Sequence, residues 1–176
     1  IGPNQALKVV GITKAYATRV GSGPFPTECE DETGERLRKI GLEFGSTTGR
    51  SRRCGWLDLV ALKYAIRLSG ITNLALMKLD VLSGFEKLHV CTAYELDGER
   101  VTEYPVSPGD LARCKPIYET VNGWKEDLTQ ARELKDLPRY AQDYIQFIGN
   151  NVAIPIDVVS IGPGRDQTLW IKPLFT

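Results

Sequence analysis

Two short apolar runs constrain the fold more than any other feature of the chain. They are Asn73-Leu74-Ala75-Leu76-Met77-Lys78-Leu79-Asp80 and Ala153-Ile154-Pro155-Ile156-Asp157-Val158-Val159. Gly70 and Gly84 bound the first, and a Gly162-Pro163-Gly164 turn follows the second. A strand with one wet face alternates apolar and polar side chains. These runs do not alternate, so they read as strands buried on both faces, as in a parallel sheet covered by helices. Helical spacing surrounds them. Over Asp31 to Phe44, Leu37, Ile40 and Phe44 suit a buried face, while Glu32, Glu35 and Lys39 suit an exposed one. Over Trp56 to Ser69, Leu59, Leu62 and Ile66 recur at helical spacing, and Trp56, Val60, Tyr64 and Leu68 widen the apolar face. Asp58 falls in the first turn of that helix, where the macrodipole favours an anion, and Gly70 stops it. A third helix is expected from Asp136 as N-cap, with Pro138 in its first turn, to Gly149-Asn150-Asn151. Its stripe of Tyr140, Tyr144 and Ile148, with Ala141 and Ile145, reads as core. Helices alternating with buried strands define an α/β chain with a mostly parallel sheet.

The remaining segments decorate that plan. Lys8 to Ile12 and on through Ala17 to Val20 reads as one long, bent strand. Gly21 to Glu28 is turn chemistry, either a plain connection or backbone laid bare beside a ligand. Leu88 to Tyr94 and Arg100 to Tyr104 flank Asp97-Gly98, a β-hairpin excursion from the main sheet. Ile117 to Thr120 is a short strand candidate. Val121 to Leu134 reads as a polar connection, mobile or partly helical. Gln167 to Ile171 is a last strand.

The second informative stretch is Gly45-Ser46-Thr47-Thr48-Gly49-Arg50-Ser51-Arg52-Arg53-Cys54-Gly55. Glycines let its backbone bend, hydroxyls donate to anionic oxygens, and each guanidinium offers a planar fork that matches a carboxylate or a phosphate. It reads as a loop for small anions; the alternative is a solvated, charged loop. Composition sharpens this. The chain has 22 Lys and Arg against 22 Asp and Glu, a net charge of zero. A general nucleic-acid binder needs a basic excess, so the cluster is local and better suited to a small ligand. At 176 residues and 42% hydrophobic, the chain is one domain or one large piece of a bigger one. No run approaches the length of a membrane-spanning helix, and no signal peptide is visible. The chain begins at Ile1 and its one methionine is Met77, so a processed or truncated product is expected. Cys29, Cys54, Cys91 and Cys114 are far apart, and His89 is the lone histidine. That spacing argues against zinc and for free thiols in a reducing cytoplasm, with His89 structural.

Both apolar runs end in polar groups. Open parallel sheets bind ligands at the carboxyl ends of their strands, so Lys78-Leu79-Asp80 and Ser160-Ile161-Gly162-Pro163 could share one crevice. A carboxylate there accepts from both the ring N1–H and the exocyclic amine of guanine, whereas adenine presents the wrong pattern. The alternative is a surface Lys and Asp that merely finish a strand. No GxxxxGK[ST] phosphate loop and no evident Mg²⁺ carboxylate cluster occurs in the chain.

Thr18 to Glu28, Gly45 to Asp58, Thr72 to Leu82, Pro116-Ile117-Tyr118-Glu119 and Pro155 to Pro163 together closely resemble adenylosuccinate synthetase, in order and over essentially the whole chain. The resemblance implies that residues 1–176 are the C-terminal portion of that enzyme and that the fold is part of a large, mostly parallel α/β sheet. It implies a homodimeric cytoplasmic ligase that joins IMP to L-aspartate at the expense of GTP, with Mg²⁺, in purine biosynthesis. By match to the family, Ser46, Thr47, Thr48, Gly49, Arg50, Ser51 and Arg52 hold the aspartate. Arg50 reaches both IMP and aspartate, a substrate and transition-state contact. Val20 and Gly21 line the IMP ribose. Arg52, Lys78, Leu79, Asp80, Ser160, Ile161 and Gly162 meet GTP. The catalytic Asp and His, the phosphate loop and the Mg²⁺ ligands are expected N-terminal to this chain, so the fragment alone is expected to be inactive. A non-catalytic guanine-nucleotide binding module is the alternative function.

Overall fold

The run from Asn73 folds as an interior strand. In the computed structural model, which describes residues 8–173, β5 (Asn73–Met77) lies between two parallel neighbours. These are β1 (Val10–Lys14) and β9 (Ile156–Ser160). Leu74 and Leu76 are fully buried, and so is every residue of β9 or nearly so. β10 (Thr168–Trp170) closes the far edge by antiparallel pairing with β9. The chain forms two compact units. This four-stranded sheet belongs to the unit that takes residues up to Ala15, Leu62–Glu86 and everything from Asn122 on. Its longest helix among the described residues, α4 (Arg139–Val152), buries Ala141, Tyr144, Ile145, Ile148 and Val152 at helical spacing. The Tyr144 hydroxyl donates to the Ala15 carbonyl at 2.7 Å, so Tyr144, Ile148, Ala141 and Ile145 of the stripe are core, as expected.

Four expectations for this unit are corrected. Asp136 does not open α4. Its carboxylate accepts from the backbone N–H of Arg132 and Glu133 and closes a separate 3-10 turn. The residue before a proline avoids helical backbone, so Leu137 is extended (ψ 147°) and the helix starts only after Pro138. Tyr140 then falls in the opening turn and is 48% exposed, not core. At the other end the helix runs past Gly149-Asn150-Asn151 to Val152, because Asn151 bonds back to the Phe147 carbonyl and Val152 is buried. The connection after Val121 is anchored rather than loose: Trp124 and Leu128 are buried, and Trp124 Nε1 donates to Ser83 Oγ at 3.0 Å.

The other unit comprises Tyr16–Ala61 and Lys87–Val121. The expected long first strand breaks at the buried pair Ala15 and Tyr16. Its second half, β2 (Ala17–Arg19), pairs instead with β3 (Arg53–Gly55). β6 (Lys87–Leu96) and β7 (Glu99–Val101) form the expected hairpin, with Asp97 (φ 53°) and Gly98 (φ 87°) in a primed turn. β4 (Leu57–Asp58) pairs with β6 in parallel, and β8 (Lys115–Asn122) pairs with it too, longer than its sequence signal. α1 (Glu32–Ile40) is capped by Asp31, which accepts from Thr33 and Gly34 N–H. It ends well before Phe44, because the backbone reverses at Leu42 (φ 50°). Leu37 is buried as expected, but Ile40 and Phe44 are exposed. α3 (Pro108–Arg113) follows β7.

The helix expected from Trp56 begins at Leu59, as α2 (Leu59–Ser69). The residues before it are taken into β3 and β4. A side chain at position 55 would overlap the Thr27 backbone, which is what lets this strand run so close. Leu68, expected on the apolar face, is 65% exposed. Asp58 is the cap rather than a first-turn residue. Its Oδ1 accepts from Val60 and Ala61 N–H, each at 3.0 Å, and its Oδ2 accepts from the buried Tyr94 hydroxyl. Burial lifts the Asp58 carboxyl above the usual carboxylate range. Asp58→Ala is therefore expected to cost about 2–4 kcal/mol, as a lost cap plus an orphaned buried hydroxyl. A carboxyl whose folded-state pKa is raised contributes most stability when protonated and loses it as pH rises through that value. Asp58→Asn keeps the cap without the charge, so it should gain on the parent between acid and neutral pH. Urea titrations across that range check both variants.

Candidate functional site

The arginine loop folds into a closed arch in the second unit. Gly45 N–H donates to the Arg50 carbonyl and Gly49 N–H to the Gly45 carbonyl, each at 2.8 Å. Gly49 sits at φ 64°, backbone that favours glycine. Below the arch Phe44 bridges Ser51, and Arg52 N–H donates to the Glu43 carbonyl at 2.9 Å. Ser46, Thr47, Thr48, Gly49, Arg50 and Ser51 are left exposed. All of these but Gly49 line a cavity of about 520 Å³, together with Gly45, Arg52, Arg53, Arg19, Val20 and Gly21. Thus the residues matched to the aspartate loop and those matched to the ribose contact share one cavity.

The three arginines have different partners. Arg53 turns away from the arch: its Nε and Nη2 take both oxygens of Glu28, and its Nη1 donates to the Gly21 and Gly23 carbonyls. Hydrogen bonding to Glu28 holds its guanidinium charged. Arg52 is fixed from beneath. Its Nη1 lies 2.8 Å from Oε2 of Glu43, which is fully buried, and the Tyr16 hydroxyl donates to Oε1 at 2.6 Å. Arg38 Nε donates to the Arg52 carbonyl at 3.0 Å. Arg50 alone of the three has a guanidinium with no acceptor among the described residues. Sequence reasoning assigned no role to Tyr16, Glu28 or Glu43. The one local hint was an acidic residue at the foot of an arginine cluster.

In the first unit, β5 and β9 are parallel neighbours, so Lys78-Leu79-Asp80 and Ser160-Ile161-Gly162 leave adjacent carboxyl ends. Lys78 takes left-handed backbone (φ 61°) and starts a 3-10 turn over Leu79–Leu82. Leu79 and Ile161 are fully buried, so they offer a ligand backbone rather than side chain. The Ser160 hydroxyl donates to the Gly162 carbonyl at 3.1 Å. Gly162 lies against the Gln167 side chain, whose amide would have to shift to admit a Cβ. Asp80 Oδ1 is buried with no hydrogen-bond partner. Burial raises the Asp80 carboxyl; Lys78 pulls it down and Asp127 pushes it up. A larger cavity, about 630 Å³, opens beside Ile145, Gly149 and Pro155, at the amino end of β9 and away from these groups.

His89 meets Trp56 edge-on and Thr120 Oγ1 at 2.9 Å, a structural setting. All four cysteines are free, and burial pushes the Cys29 thiol up to about 11. Among the described residues, no three His, Cys, Asp or Glu side chains gather to hold a metal, and no helix is long and apolar enough to cross a membrane.

Polar strand ends on a parallel layer, and a hydroxyl-and-arginine cavity under a glycine arch, define an α/β protein whose exposed donors match small anionic groups. The adenylosuccinate synthetase family profile matches residues 1–169. Adenylosuccinate synthetase of Bdellovibrio bacteriovorus is 61% identical over 175 residues, 99% of this chain and 40% of that protein. That of Acidothermus cellulolyticus is 54% identical over 99% of the chain and 41% of its own length. The fully ligated adenylosuccinate synthetase of Plasmodium falciparum superposes with a TM-score of 0.94 at 40% identity, covering 98% of this chain and 42% of that one. The chain belongs to the adenylosuccinate synthetase family and spans about two-fifths of the length of these relatives.

Proposed function

We propose that the chain is the aspartate-loop and guanine-recognition segment of a GTP-dependent ligase that joins IMP to L-aspartate to form adenylosuccinate. The observation that carries this reading is the single cavity under the Gly45–Arg52 arch, lined also by Val20 and Gly21. In it Thr47 and Thr48 donate to the aspartate carboxylate, Arg50 reaches aspartate and IMP, and Val20 and Gly21 line the ribose. Ser46, Gly49 and Ser51 shape the arch. Arg52, steadied by Glu43, faces GTP. Asp80 accepts from the guanine N1–H and amine, Lys78 covers the base with its aliphatic stem, and the backbone of Leu79 and of Ser160 to Gly162 completes the base pocket.

The full-length enzyme works as a cytoplasmic homodimer with Mg²⁺. The family resemblance assigns the ligands of that ion to the part of the enzyme outside this segment. A catalytic Asp and His and a phosphate loop are assigned to the rest of the enzyme. The purified chain, given GTP, IMP, L-aspartate and Mg²⁺, is accordingly expected to release no phosphate above background. Turnover above about 1 per second would overturn this division of labour.

The unpartnered Asp80 oxygen favours a second reading, a guanine-nucleotide module without catalysis. Calorimetry separates the two. GDP binding that responds to L-aspartate supports the ligase segment, and GDP binding indifferent to it supports the module.

A further inference from the structure

In the β2–β3 ribbon, Arg19 stands directly opposite Arg53. Opposed residues of an antiparallel pair share a face, and like charges there repel. Arg53 is neutralised by both oxygens of Glu28 and by two backbone carbonyls. Arg19 is not. Its Nε is buried without a partner, and no carboxylate among the described residues pairs with its guanidinium. The side chain lies across Gly23, where a Cβ would sit 2.7 Å from Arg19 Cζ, so glycine makes room for it. It lines the same cavity as Arg50. Four arginines thus line the cavity, Arg19, Arg50, Arg52 and Arg53, and among the described residues only Glu28 and Glu43 form ion pairs with them. Two positive charges, on Arg19 and Arg50, remain unmatched. Folding leaves a buried donor unpaired only at a cost, and a ligand oxygen removes that cost.

We propose that Arg19 is an anion-binding residue of this cavity, taking an oxygen of a carboxylate or phosphate while Arg50 takes another anionic group. The proposal rests on reading the cavity as a substrate site. A planar fork holding one anionic oxygen pair contributes about 10- to 100-fold in affinity. The test is Arg19→Met in the full-length enzyme, which keeps the apolar stem and removes the fork. The Michaelis constants for L-aspartate, IMP and GTP are measured in turn, with the other two saturating, alongside the melting temperature.

A rise of about tenfold or more for aspartate alone identifies a carboxylate, and one for IMP or GTP identifies a phosphate; either supports the proposal. The melting temperature should hold or rise, since a like-charge neighbour has gone. All three constants staying within about twofold of the parent overturns it. If Arg19→Met melts early, Arg19→Lys replaces it: it keeps the charge but loses the bidentate fork, and unchanged constants again overturn the proposal. Arg50→Leu is the control. If it too changes no constant and no rate, the substrate-site reading fails; if it alone is impaired, only the role of Arg19 fails.

Discussion

Asp80→Asn in the full-length enzyme is expected to weaken GTP about 100-fold and to abolish the preference for GTP over ITP. The two nucleotides differ in the exocyclic amine of the base. Asp80 stands at the carboxyl end of β5 with one oxygen buried and unpartnered. An ionised carboxylate accepts from both guanine donors. An amide offers one acceptor and must turn its own N–H₂ towards the second donor, so a charge-assisted bond is lost and a repulsive contact replaces it. Those terms together are about 3 kcal/mol. Because burial raises the Asp80 carboxyl, the parent enzyme should also lose GTP affinity on acidification sooner than an ordinary carboxylate allows. The sign is that of a group needed in its charged form: affinity is present above the raised pKa and lost as pH falls through it. In Asp80→Asn this pH dependence should vanish. Michaelis constants for GTP and ITP between acid and neutral pH test both statements. Unchanged GTP affinity in the variant would mean that Asp80 only finishes a strand.

Arg50→Leu is expected to lower kcat/KM about 1,000-fold with the melting temperature unchanged. The second half of that expectation comes from geometry. Arg50 is exposed and makes no ion pair among the described residues, so its removal strands no buried charge. The first half comes from the arch. Gly45 and Gly49 fold the loop back on itself, presenting Arg50 beside the hydroxyls of Thr47 and Thr48 in one cavity. A guanidinium fixed beside two substrates stabilises charge that develops between them, and such donors act most strongly where water is excluded. Loss in kcat, rather than in one Michaelis constant alone, is the expected kinetic form. A variant that turns over normally would leave the arch as a solvated surface loop.

Much of this was legible before any coordinates. The unbroken apolar runs at Asn73 and Ile154 carried the parallel pairing of β5 and β9, because a strand without alternation has no wet face to offer. Asp97-Gly98 carried the hairpin, because few dipeptides tolerate two successive positive φ values. The order of motifs carried the family. The helix ends at Ile40 and Asp58 were not legible, because periodicity continues smoothly through residues whose backbone is claimed elsewhere. Leu42 reverses the chain, and Arg53 to Asp58 pair with strands far away in sequence.

The same division holds at the site. Residue types alone carry the proposals that the Gly45–Gly55 stretch takes small anions and that Asp80 takes guanine, since donor and acceptor patterns belong to the side chains themselves. Which arginine does what was decided by tertiary structure. Three guanidiniums within four positions are chemically identical until Glu28, Glu43 and Tyr16 are folded against them. Glu28 takes Arg53 and Glu43 holds Arg52, while Arg50 has no acceptor among the described residues and Arg19 lines the same cavity. Ion pairing acts over a few ångströms of space and is indifferent to separation along the chain, so beyond the acidic residue at the foot of the cluster no local pattern announces it.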